Sequence, residues 1–303
     1  MMNTPFDLEQ DALYRLWRDA KRLKHPRTAA ELVVDVVDPR SLTTAEKGAL
    51  LERCATANMA IYRSKEYGED KGIPLAIAAQ LGLHRLDGNW LADEDGVSPI
   101  AVASAGGDRP AYIPYTNRPI KWHTDGYYHP GSRHIRAMIL HCVRPAMEGG
   151  ETALMDHEMA YIALREANPD WVRALMASDA MTIPERLDDN GIARAAQTGP
   201  VFSVDPDSQA LHMRYTARNR SIEWKGDRAT SDAVAFLARL LGNDNPQHVF
   251  RLRLTAGMGL VCNNVLHDRA GFVDDPIQPR LLYRARYLDR IQAPTLVGRE
   301  TLP

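Results

Sequence analysis

Leu8, Leu13, Leu16, Trp17 and Ala20 recur mostly at three- and four-residue intervals, the period that lays an apolar stripe along one helix face. Ser41-Leu42-Thr43-Thr44-Ala45-Glu46 sets hydroxyls ahead of an acid, a capping pattern that predicts a helix running to about Ala57. The short, mainly apolar runs at 30–37 and 59–62 read as strands. Residues 1–96 are therefore expected to form a mainly helical N-terminal layer. From about residue 97 short apolar runs alternate with Gly, Pro and Asp turns, at 100–103, 111–115, 137–143, 152–155, 249–254, 260–262 and 281–287. Many short punctuated strands predict an all-β core, a sandwich or jelly roll, with helical inserts at 159–176 and 231–241. No repeat, low-complexity tract or Gly/Ser-rich linker divides the chain. Residues 1–303 are read as one domain whose core spans 97–290.

Composition narrows the class. The chain has 303 residues, 45% hydrophobic and 25% charged, with a formal net charge of -2. Those values suit an ordinary globular protein and exclude collagen-like and disordered readings. Near-neutral charge argues against nucleic acid as the partner, because phosphate binding needs a basic excess. Cys54, Cys142 and Cys262 are too few and too scattered for a disulfide framework or a zinc finger, which suits a reducing cytoplasm. The start of the chain lacks the basic and apolar segments of a signal peptide, and no window approaches 18 uncharged apolar residues. A cytoplasmic protein that neither spans nor binds a membrane is the expectation.

Ten histidines are present, and two of them fit a common chemistry. In Trp122-His123-Thr124-Asp125-Gly126, strand geometry would put His123 and Asp125 on one face, presenting an imidazole and a carboxylate to one point. His267, in Asn263-Asn264-Val265-Leu266-His267-Asp268-Arg269, is the best third ligand. Two histidines and one carboxylate leave open positions opposite, the arrangement of non-haem Fe(II) oxygenases. A His-X-Asp triplet by itself also arises as a surface hydrogen bond. The last strand adds weight, because by period two Arg280, Leu282, Arg284 and Arg286 share one face. These arginines either face water along an edge or pair with a dicarboxylate, which guanidinium matches bidentately.

Together these residues resemble the taurine dioxygenase (TauD/TfdA) family of Fe(II)/2-oxoglutarate-dependent oxygenases, over about Tyr112 to Tyr287. Trp122-His123-Thr124-Asp125 is similar to the proximal metal motif, and Gly149-Gly150-Glu151-Thr152 with Asp156 to the second block. Leu266-His267-Asp268-Arg269 resembles the distal histidine block, and Arg280, thirteen residues after His267, the arginine that grips 2-oxoglutarate. The resemblance implies a double-stranded β-helix (jelly roll, cupin-like) in which His123, Asp125 and His267 hold Fe(II). It implies that Thr152 and Arg280 bind the far carboxylate of 2-oxoglutarate. With O2, a C–H bond of a small polar metabolite (an amine, betaine, sulfonate or carboxylate) would be hydroxylated, with release of succinate and CO2. Asp125 speaks against a halogenase, whose relatives carry a small residue there.

Within the family, Tyr115-Thr116, Leu140-His141-Cys142 and Gly149-Gly150 are similar to γ-butyrobetaine hydroxylase-like members. Those members have asparagine where this chain has Tyr112, a cage tyrosine at the place of Arg286, and a zinc-binding N-terminal domain that three scattered cysteines cannot supply. Butyrobetaine is therefore not carried over as substrate. Arg284 resembles the arginine that taurine dioxygenase offers to a sulfonate, and its other reading is a structural ion pair. Tyr115, Tyr127 and Tyr128 flank the metal motif as substrate-lining candidates or as plain core aromatics. Arg214, Arg218 and Arg220 form a second basic cluster, read as a substrate-anion site or a solvated loop. The remaining histidines near these motifs, His129, His134, His141, His157 and His212, are read as structural or surface residues. Competing readings are the same chemistry on a peptide side chain, a zinc hydrolase, and a non-catalytic jelly-roll binding protein. A homodimer or higher homo-oligomer is the default assembly.

Overall fold

A computed structural model of the chain describes residues 4–88, 93–103, 112–188, 191–218, 222–242 and 248–292. Ten strands form its two principal sheets: β1 (Val33–Asp35), β2 (Met59–Arg63), β3 (Ser98–Ile100), β4 (Ile120–His123), β5 (Ala137–Arg144), β6 (Thr152–Met155), β7 (Val249–Leu252), β8 (Met258–Cys262), β9 (Leu266–Arg269) and β10 (Leu281–Tyr287). The larger sheet runs β1-β2-β8-β5-β10-β3 and the smaller β7-β6-β9-β4. All pairings in both are antiparallel except β1 with β2.

Alternation along the strands builds the layers. In the larger sheet Met59, Ile61, Met138, Cys142, Leu260, Cys262 and Leu282 point inward, where they meet Leu154 and Phe250 of the smaller sheet. Ala60, Tyr62, Ile139, Val261, Ala285 and Tyr287 point outward and are covered by Leu50 and Cys54 of helix α2 (Thr44–Ala57) and Ile77 and Ala78 of helix α3 (Gly72–Gln80). On the smaller sheet, Trp122, Ala153, Met155 and Leu266 pack under helices α4 (His157–Ala167), α5 (Pro169–Leu175) and α6 (Arg228–Leu240).

The expected strands at 137–143, 152–155, 249–254, 260–262 and 281–287 all appear, with small shifts of boundary. Run 100–103 starts and ends earlier, as β3. Ala111 lies outside the described residues, and Ile113–Tyr115 is a 3-10 turn rather than a strand, because Pro114 brings no backbone donor to a ladder. The insert at 159–176 is two helices, parted at Asn168, whose side chain caps the second before Pro169.

The N-terminal helices do not form one layer. Helix α1 (Asp11–Lys24) belongs to the α4 side, with Tyr14 and Trp17 against Phe6 and Tyr161. Helices α2 and α3 cover the opposite, larger sheet, to which the same region also contributes β1 and β2. The buried stripe of α1 is set by its aromatics, so Leu16 stays 73% exposed despite its place in the apolar pattern. Helix α2 begins as expected, with Thr43 and Glu46 in a reciprocal capping box. Among the described residues no helix is long and apolar enough to cross a membrane.

Candidate metal centre

Strands β4 and β9 pair with His123 directly opposite His267, their ring centroids 4.2 Å apart. In each ring Nδ1 lies on a backbone carbonyl two residues earlier, Lys121 O at 2.9 Å and Val265 O at 2.9 Å. A carbonyl only accepts, so each Nδ1 carries the proton and each Nε2 keeps a free lone pair. Asp125 reaches the same point by a different route from the expected i, i+2 strand alternation. Strand β4 ends at His123, and the chain turns through Gly126 at φ 65°, where a Cβ would lie 2.4 Å from the Ile135 side chain.

That turn is clamped from two sides. Thr124 exchanges two 3.0 Å hydrogen bonds with the Tyr215 backbone, donating through its amide and accepting at Oγ1. Asn264 Oδ1 accepts from the Asp125 amide at 2.7 Å, while its Nδ2 donates to Asp125 O at 3.0 Å and Ile135 O at 2.7 Å. Asn264 adopts φ 51°, a left-handed conformation that asparagine tolerates. Sequence reading assigned it no role. Its only cue was an Asn-Asn pair just ahead of the distal histidine.

Ligand atoms of His123, Asp125 and His267 lie within 4.8 Å of one another. Asp125 Oδ1 is 3.5 Å from His123 Nε2 and 3.9 Å from His267 Nε2. Burial alone would raise the Asp125 carboxyl, but the Arg284 guanidinium, with Nη1 3.2 Å from Oδ2, holds it well below the usual carboxylate range. Burial, and then the nearby His123, push His267 down to about 4, so its imidazole is neutral near pH 7. Asp125 Oδ2 is buried without a hydrogen bond. Two imidazole lone pairs and a carboxylate aimed at one point repel each other unless a cation lies between them. This donor set fits a divalent transition metal.

Thr152 opens β6 and Arg280 immediately precedes β10, and both line one small cavity with Gly149, Gly150, Arg253 and Leu282. Gly149 and Gly150 adopt φ 71° and 73°, and a Cβ on Gly149 would lie 2.5 Å from Gly271 O, so the approach of this turn to the wall requires glycine. Arg280 lies over the Phe272 ring at 5.0 Å, only 5% exposed. Its Nη1 and the Nε of Arg253 are buried without hydrogen-bond partners. Among the described residues no carboxylate lies within ion-pair reach of Arg280. A cavity with unpaired guanidinium donors and a threonine hydroxyl fits a carboxylate ligand.

The other named residues divide. Tyr115 is buried in the apolar layer between the sheets. Tyr127 and Tyr128 are half-buried beside the metal motif, with ring centroids 5.3 Å apart. Arg284 is paired with Asp125 itself. Arg286 faces the interior too, bonded to the buried Asp87 at 2.6 Å and to Tyr128 Oη at 3.3 Å. Asp87 carried no sequence signal, because its partner lies about two hundred residues away in the chain. The solvated-loop reading fails for Arg214, which is buried and donates to the carbonyls of Met181 and Gly199. Arg218 is exposed, and Arg220 lies outside the described residues. His141 is buried against Tyr62 Oη at 2.7 Å, and His157 and His212 are buried as well.

Residues 26–286 match the taurine catabolism dioxygenase TauD, TfdA family, a span that includes every residue of the metal and Arg280 sites. The chain belongs to this family. Among TauD/TfdA relatives, a uridine-5'-phosphate dioxygenase from an Amycolatopsis species is 34% identical over 180 residues, covering 57% of this chain and 62% of that protein. A Streptomyces uridine-5'-phosphate dioxygenase is 31% identical over 212 residues, 67% of this chain and 73% of the relative. The chain thus spans less than two thirds of the Amycolatopsis protein's length. In fold it is similar to a putative alpha-ketoglutarate-dependent taurine dioxygenase from Burkholderia xenovorans, with a TM-score of 0.57 at 18% identity over 87% of this chain and 91% of that one.

Proposed function

We propose that this TauD/TfdA protein is an Fe(II)- and 2-oxoglutarate-dependent dioxygenase that hydroxylates a small anionic metabolite. His123, Asp125 and His267 hold the metal, and Arg280 with Thr152 holds the far carboxylate of 2-oxoglutarate. The carrying observation is the convergence of three ligand atoms with both imidazole tautomers set by backbone carbonyls. A zinc hydrolase would leave the Arg280 cavity without a ligand. The activity for which the two relatives are named points to a nucleoside 5'-monophosphate such as uridine 5'-monophosphate as the first substrate to try.

Bound Fe(II) with 2-oxoglutarate and O2 supplies the oxidising chemistry, yielding succinate and CO2. The chain's own part is placement. Lys121 O and Val265 O fix the direction of each Nε2, and Asn264 fixes the turn that carries Asp125. Arg280, buried and braced over Phe272, sets where the distal end of 2-oxoglutarate stops, and thereby where its keto acid end reaches. The sheets and the helices covering them keep bulk water from this layer. Because β1 and β2 extend the sheet that carries Arg284, we read residues 1–303 as one functional unit.

The test is succinate formation from 2-oxoglutarate with Fe(II) and O2, with uridine 5'-monophosphate and other small anions as candidate substrates. Substrate-stimulated, Fe(II)-dependent succinate is expected from the wild type and not from His123→Ala. Equal succinate from both proteins contradicts the assignment.

A further inference from the structure

Beyond the metal ligands and the Arg280 cavity, the metal motif is flanked by cations that have no acid of their own. A hairpin of Arg186–Asp188 and Gly191–Arg194 carries Arg194 to Tyr128, with the guanidinium carbon 5.9 Å from the ring centroid. Arg194 Nη2 donates to Pro184 O at 2.6 Å, but Nη1 is shielded from water and has no hydrogen-bond partner. Arg218 lies two residues past Thr216, which bridges to His123, and it donates to Tyr127 Oη at 3.3 Å. Tyr127 and Tyr128 stand edge to face, so the two guanidiniums approach one aromatic pair. Among the described residues neither arginine lies within ion-pair distance of a carboxylate. Nearby Arg284 and Arg286 are different, each being paired, with Asp125 and Asp87.

A shielded guanidinium donor without an acceptor is unfavourable unless a ligand completes it. One carboxylate is satisfied by one guanidinium fork, whereas a phosphomonoester brings about two negative charges and three acceptor oxygens. We propose that Arg194, over the Tyr128 ring, and Arg218, bonded to the Tyr127 phenol, form a subsite for a phosphomonoester dianion on the substrate. The phosphate would be held at the rim by the hairpin and the Arg218 segment, with the carbon skeleton directed toward His123 and His267. Partial burial lowers the Arg194 pKa, a cost that the charge of a bound dianion would offset. This subsite rests on the dioxygenase reading and adds to it the group that selects the substrate.

The test measures binding to the Mn(II)-loaded protein without turnover, using uridine 5'-monophosphate, ribose 5-phosphate and uridine, with 2-oxoglutarate affinity read in parallel. The wild type is expected to bind both phosphates at least about 10-fold more tightly than uridine. Arg194→Ala and Arg218→Ala should each weaken the phosphates by about 10-fold and leave uridine and 2-oxoglutarate unchanged, with Arg194→Lys intermediate because it keeps charge but loses the fork. Phosphate affinity that is unaltered in the double alanine variant, losses equal for uridine and its phosphate, or no phosphate preference in the wild type would each overturn the subsite. In those cases intact 2-oxoglutarate binding leaves the dioxygenase reading standing, whereas its absence from the wild type removes that reading too.

Discussion

Lys21, Asp156 and Glu158 form one group of buried charges, and His123, Asp125 and His267 with Arg280 form another. In the first, Lys21 Nζ lies 2.6 Å from Asp156 Oδ2 and 2.5 Å from Glu158 Oε2, joining α1 to the start of α4. Asn58 Nδ2 and the Glu158 amide both donate to Asp156 Oδ1, and Arg290 donates to Asn58 Oδ1. In the second group Asp125 is paired with Arg284, but two imidazole lone pairs and Arg280 Nη1 have neither an ion-pair nor a hydrogen-bond partner among the described residues. Both groups are buried and both contain histidine or acid. The difference is saturation. Charges that the chain neutralises itself hold elements together, and lone pairs and donors left over around a shared space are free to take a ligand.

Substitutions should separate the two groups, starting with the largest effect. Lys21→Met leaves Asp156 buried without its cation and should destabilise the fold by about 3–5 kcal/mol in urea unfolding, with the metal affinity of the folded protein unchanged. His267→Ala should do the reverse, weakening Fe(II) or Mn(II) binding by about 100-fold or more in calorimetry while the protein stays folded. Arg280→Ala should raise the KM for 2-oxoglutarate by about 10- to 150-fold, the loss of charge-assisted hydrogen bonds, with metal affinity intact.

The smallest expected effect is on pH dependence. Burial would raise the Asp156 carboxyl, but the Lys21 charge holds it well below its ordinary value. Its folded pKa is therefore below the unfolded one, and the stabilisation is complete above the unfolded value of about 4. It is lost as pH falls from there toward the folded pKa. Between pH 5 and pH 3 the wild type should lose on the order of 1 kcal/mol from this group, a slope absent in Asp156→Asn. An equal slope in both proteins would mean that Asp156 is not held by Lys21.

The three candidate ligands and Arg280 were readable because each is a chemically distinctive side chain in an ordered set of motifs. The main strands were readable too, since alternation and turn residues are local. What escaped was whatever depends on distant partners. Asn264 and Asp87 act through residues far along the chain, so their neighbours in sequence do not disclose those roles. Arg214 reads as a loop cation yet is buried, because two neighbouring strands present carbonyls to it. Helix α1 hid its face for a related reason. Tyr14 and Trp17 find aromatic partners in Phe6 and Tyr161, and Leu16, equally apolar, finds none and stays exposed.

The direct test of the metal assignment is anomalous X-ray diffraction from crystals grown with Mn(II), with His267→Ala crystals as the control. A single peak about 2.0–2.2 Å from His123 Nε2, His267 Nε2 and an Asp125 carboxylate oxygen, absent in the variant, is the predicted result. A peak elsewhere, or one that persists at the same place without His267, would contradict it.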